Sequence, residues 1–139
     1  MLKEITIERL TFKKEEKLKS RKLIEQLFKK GNSFSVFPFR VLYIFLEKNI
    51  APLQSGFAAS AKTFKKAVDR NRIKRLMREA YRLEKNNLTG ALKRQNKCMA
   101  VFFIYTGNTI PEYDDILEKM KTALKRLNKS PDENIAQDT

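Results

Sequence analysis

Hydrophobic and polar positions alternate with two different periods along the chain. From Ser20, apolar residues recur at Leu23, Ile24, Leu27 and Phe28, the spacing of one helix face. Ser20 is placed to cap the start of that helix and Gly31 to close it as C′. By spacing alone Ile24 and Phe28 read as core. From Ser33 to Leu46 the period becomes two: Phe39, Val41, Tyr43 and Phe45 alternate with Arg40, Leu42, Ile44 and Leu46. This predicts a strand apolar on both faces, each covered or used. Pro38 has no N–H and marks an edge or bulge near its start.

Asn49 to Pro52 predict a turn, and Gly56 to Ala61 a short strand of small residues. A second helix follows, with Ile73, Leu76, Met77, Ala80 and Leu83 in one apolar arc. Leu88, Ala91 and Leu92 suggest a short helical continuation, and Cys98 to Tyr105 a buried strand. The last helix opens at Pro111, with Glu112, Asp114 and Asp115 suited to its first turn. Its stripe is Ile116, Leu117, Met120, Leu124 and Leu127. No repeat or internal linker is visible. The prediction is one compact α+β domain over residues 1–129, in the order α-β-β(-β)-α-β-α, with a small mixed sheet and a long basic helix. Residues 1–17 read as an N-terminal arm and 130–139 as a disordered tail.

Composition narrows the function. The 139 residues are 42% hydrophobic and 33% charged, a globular balance, but the formal net charge is +14. So large a positive charge points to nucleic acid rather than an anionic membrane. No apolar run is long enough to span a bilayer, and no secretory signal is visible, so the expected location is the cytoplasm. The single cysteine, Cys98, permits no internal disulfide and reads as a small core residue. The absence of histidine argues against a zinc site or a His-based acid–base centre. Asp114 and Asp115, adjacent on a helix, point about 100° apart and cannot form a two-metal site alone. No catalytic residue and no metal ligand is assigned.

The charge is concentrated. From Lys62 to Arg82 nine Lys or Arg face two acids, a net +7 and half of the chain's total. Around the helix, Arg70, Asn71, Lys74, Arg75, Arg78 and Arg82 lie opposite the apolar arc. Solvated lysines are usually balanced by acids one turn away. Here few acids do so, and Arg is the residue that binds phosphate bidentately and stacks on bases. The ridge is therefore read as a polyanion-binding face. With one Asn among the cations it favours phosphate contacts over base readout, and no helix-turn-helix partner is present, which speaks against DNA. The aromatic strand face can stack unpaired bases or serve as core. A structural RNA-binding protein of ribosomal type is the alternative reading.

The run KKAVDRNRIKRLMREAYR, Lys65 to Arg82, resembles the signature of the protein subunit of bacterial ribonuclease P: Ala-Val, Arg-Asn-Arg, Ile-Lys-Arg and a further Arg one turn on. TFKKEEKLKS, FKKGNSF, FRVLYIF, GFAAS and the final helix fall in that family's order, so the resemblance covers about residues 10 to 128. It implies an accessory subunit, bound 1:1 to a large catalytic RNA, in a holoenzyme that removes the 5′ leader of precursor tRNA by metal-assisted hydrolysis. The RNA would carry the catalytic centre and its Mg²⁺. The protein would bind the leader and promote metal binding, holding no metal stably alone, with no DNA or membrane partner.

Carried over residue by residue, the resemblance makes Lys62, Lys65, Lys66, Arg70, Asn71, Arg72, Lys74, Arg75, Arg78 and Arg82 the RNA-binding face. It places a leader-binding cleft between the first helix and the sheet, lined by Ile24, Phe28, Phe39, Val41 and Tyr43. Ile24 stands where an aromatic is common, which leaves Phe28 and Tyr43 as the stacking residues. Thr63 stands where a second basic residue is common, which would move one phosphate contact to Lys65 or Lys66.

Overall fold

A computed structural model describes residues 12–47 and 51–137 of the chain. Its strands are β1 (Asn32–Val36), β2 (Phe39–Leu46), β3 (Leu53–Ala59) and β4 (Cys98–Tyr105), and its helices are α1 (Arg21–Lys30), α2 (Ala67–Glu84), α3 (Asn86–Arg94) and α4 (Tyr113–Gln137). The strands form one mixed sheet in the order β1-β2-β4-β3, with β3 and β4 parallel and the other pairs antiparallel. The α+β class and the mixed sheet are as the sequence predicts. The single strand expected from Ser33 to Leu46 is instead a hairpin, with Val36 opposite Phe39 and the chain turning at Phe37 and Pro38. Pro38 cannot donate to a ladder, so the chain reverses there rather than bulging.

Register decides which apolar set meets which helix. Phe39, Val41, Tyr43 and Phe45 lie beside Tyr105, Phe103, Val101 and Met99 of β4. This face is the main core, closed by Ile73, Met77, Ala80 and Tyr81 of α2, Leu88 and Leu92 of α3, and Ile116, Met120, Ala123, Leu124 and Leu127 of α4. The opposite face presents Leu42, Ile44, Leu46, Ala100, Phe102 and Ile104, and α1 covers part of it with Leu23, Ile24 and Leu27. Successive strand residues point to opposite faces, so two separate hydrophobic clusters follow.

Local signals position α1. The Ser20 hydroxyl accepts the Leu23 N–H at 3.2 Å, the expected cap. Gly31 ends the helix in extended rather than left-handed backbone; a side chain there would collide with the Leu27 carbonyl. On α2 the buried stripe is rotated from the predicted arc. Ile73, Met77, Ala80 and Tyr81 are buried, whereas Leu76 is a half-buried flank and so is Leu83. Tyr81 enters the core because its hydroxyl pairs with that of Ser55. Burial pushes the Tyr81 phenol well up, the Ser55 hydrogen bond offsetting part of that. The expected helical continuation is α3, with Leu88, Ala91 and Leu92 buried. Helix α4 begins at Tyr113, two residues after Pro111, and continues past Ser130 to Gln137.

The N-terminal arm is tied to the fold from Phe12 onward; residues 1–11 lie outside the described residues. Lys14–Glu16 form one 3₁₀ turn, in which the Glu16 carboxylate accepts the Lys13 N–H at 2.9 Å. The Leu18 N–H donates to the Ser55 carbonyl at 2.9 Å, and the Gln54 amide donates to the Glu15 carbonyl at 2.9 Å. Residues 12–18 thus strap the outer edge of β3.

Candidate nucleic-acid interface

The apolar stripe of α2 fixes its rotation, and the rotation fixes its cations. Asn71, Arg72, Arg75 and Arg78 are exposed, while Lys74 is half-buried. Lys65 and Lys66 are exposed just before the helix, and Lys62 is exposed in the turn after β3. The signature residues therefore form one basic surface, with two exceptions in role. Arg70 donates to the carbonyls of Phe64 and Lys65, at 2.7 and 2.9 Å, and so ties the β3–α2 loop to the helix. It stands about 60° from Ile73 around the helix, within the arc of the buried stripe between Met77 and Tyr81 rather than opposite it. Arg82 is paired with Glu79, whose carboxyl its hydrogen bond holds below the usual range. Phe64, beside Thr63, is buried against Tyr105, with ring centroids 6.0 Å apart. Its bulk packs under the loop that presents Lys65 and Lys66.

Beside this ridge runs a groove of about 330 Å³ between the strap, β3 and α2. Asn71, Lys74 and Arg78 line one wall, and Phe12, Lys17 and Lys19 the other. At its floor is Gly56, where a Cβ would lie 2.7 Å from the Phe102 ring. Lys17 and Lys19 were not legible as interface residues, because KKEEKLK reads as an ordinary solvated charge run. Phe12 in front of that run is the signal that it is anchored.

The five residues assigned to a leader cleft do not meet in one. Phe28 is 56% exposed on α1, its ring edge-on to Phe102 at 5.7 Å, and Ile24 is half-buried beside it. Phe39, Val41 and Tyr43 lie on the other side of the sheet, in the main core. Tyr43 is only 8% exposed and packs edge-on to Phe34 and Phe45, at 6.0 and 6.2 Å. The physical reason is the pleat: α1 covers the even-numbered residues of β2, so the odd-numbered ones point away from it. Besides the buried Leu42 and Ala100, the side of the sheet facing Phe28 presents Arg40 and Ile44 of β2, and Phe102 and Ile104 of β4. Arg40 is exposed and the other three are half-buried.

Among the described residues, no group of three or more acids or cysteines is placed to hold a metal ion. Among them too, no helix is long and apolar enough to cross a membrane. An arginine ridge on one helix, beside a sheet face that leaves an aromatic ring exposed, is a surface chemically suited to RNA. The chain belongs to the ribonuclease P protein family, whose model, Ribonuclease P, matches residues 12–128. The ribonuclease P protein component of Porphyromonas gingivalis (strain ATCC 33277) is 35% identical over 115 residues, 82% of this chain and 84% of that one. That of Clostridium botulinum (strain Loch Maree) is 30% identical over 81% of this chain and 95% of the relative. In fold, the RNase P protein of Staphylococcus aureus superimposes with a TM-score of 0.65 at 22% identity, covering 80% of this chain and 94% of that one.

Proposed function

We propose that the chain is the accessory subunit of a ribonuclease P holoenzyme, bound 1:1 to a catalytic RNA and acting on precursor tRNA in the cytoplasm. The observation that carries this reading is the ridge of α2: Arg72, Arg75 and Arg78 are exposed in signature order while the same helix buries Ile73 and Met77. Such a surface neutralises closely spaced phosphates of a folded RNA without reading bases.

The leader is assigned to the sheet face beside α1. Phe28 offers an exposed ring, Phe102 backs it, and Arg40 supplies a cation on the same face. Stacking on an aromatic tolerates any base, which suits a subunit that meets many leaders. The reaction's Mg²⁺ is assigned to the RNA, whose phosphate oxygens are the ligands this hard cation takes. The protein promotes its binding only by lowering the repulsion between RNA strands.

The alternative, a ribosomal-type RNA-binding protein, is separated by the RNA that accompanies the protein from cells. Sequencing that RNA is expected to return one abundant structured species together with precursor tRNAs. Recovery of ribosomal RNA alone would overturn the assignment.

A further inference from the structure

We propose that residues 12–19 are a locked arm that carries Lys17 and Lys19 into the RNA groove beside Asn71, Lys74 and Arg78, with the Glu16–Lys85 ion pair as its lock. This rests on the reading of α2 as the RNA-binding face. The interface is then built from two distant chain segments, and Glu16 and Lys85 are positioning residues that need not touch RNA.

The lock is buried. Lys85 lies between α2 and α3 with its side chain 5% exposed, and the Glu16 side chain is 16% exposed. An ammonium that deep requires a partner, and Glu16 supplies it. Phe12 adds a second anchor. Its ring lies edge-on to Tyr81 at 5.5 Å and to Phe57 at 6.1 Å. The ammonium groups of Lys85 and Lys17 stand 5.9 and 5.8 Å from its centroid. A third anchor is Leu18, buried on the α1 side of the sheet and hydrogen-bonded to Ser55.

Between these anchors the backbone at Lys17 is extended and bridges Ser55 in parallel. In extended chain alternate residues point to opposite sides. Leu18 points into the protein on the α1 side, so its neighbours Lys17 and Lys19 are sent the other way, where both are exposed and line the groove. Folding leans on Glu16 and Leu18, which are drawn inward, far more than on Lys17, whose exposed ammonium adds only its contact with the Phe12 ring. A groove that gathers Lys17, Lys19, Lys74 and Arg78 with one Asn suits the phosphates of an RNA backbone.

The test measures binding of the full chain to its cognate catalytic RNA over a salt series. Lys17→Ala with Lys19→Ala is expected to keep the fold, with at most a small drop in melting temperature from the lost Lys17–Phe12 contact, and to shrink the log–log salt slope by about 1.4–1.8, two phosphate contacts. Glu16→Gln is expected to lose about as much slope, and adding the two lysine substitutions to it should change nothing more. Should Glu16→Gln not fold, Glu16→Gln with Lys85→Met, which leaves no buried charge, replaces it. An unchanged slope in the lysine variant, or full additivity with Glu16→Gln, overturns the proposal. Arg75→Ala with Arg78→Ala, measured alongside, separates the two readings. If that variant also keeps its slope, α2 is not the RNA face. If it alone loses slope, only the arm is rejected.

Discussion

Arg75→Ala together with Arg78→Ala is expected to weaken assembly with the catalytic RNA and to shrink its salt slope by about 1.4–1.8 without unfolding the protein. Both side chains are exposed on α2, so no core volume is lost. The effect should be largest at low salt and fade as salt screens the ridge. Met77→Ala is the opposite case: it is fully buried and should cost about 2–5 kcal/mol of stability. Leu76 on the half-buried flank is unsuitable for that comparison. Equal slopes for wild type and the double arginine variant would mean that the ridge is merely solvated.

A contrast between Tyr43 and Phe28 is the second large effect. Tyr43→Ala removes a ring from the main core and should cost about 3–5 kcal/mol, the range for large aromatics. It should therefore lower the melting temperature and harm binding of precursor and mature tRNA alike. Phe28→Ala removes a ring that is 56% exposed, so the fold should persist. Precursor tRNA should then bind about 1–3 kcal/mol more weakly, while mature tRNA, which has no leader, binds as before. The readout is the ratio of the two affinities on folded protein. A ratio that falls for Tyr43→Ala and stays constant for Phe28→Ala would reverse the assignment of the two sheet faces.

The long basic helix and the stripe of α4 were legible because their apolar residues recur at the helical period, and β4 because an eight-residue apolar run stands between polar segments. The faces of β2 were not. Both its odd and its even residues are apolar, so alternation alone cannot say which set meets α1. Tyr43 and its neighbours were accordingly assigned to the wrong side. Phe102 escaped notice because CMAVFFIY is apolar throughout and hides which residues reach the α1 face. Arg70 is a different case. Its angle from Ile73 was already in the sequence, but the carbonyls of Phe64 and Lys65 that hold it belong to a loop whose path was not. Lys17 and Lys19 depended on a contact spanning 69 residues, Glu16 to Lys85, which no local pattern encodes.

Reconstitution tests the central claim most directly. The purified, RNA-free chain is expected to show no cleavage of precursor tRNA. Mixed with its cognate catalytic RNA in Mg²⁺, it should restore fast removal of the 5′ leader at salt where the RNA alone is slow. Robust 5′ processing by the RNA-free protein, or an RNA whose rate the protein leaves unchanged, would contradict the account.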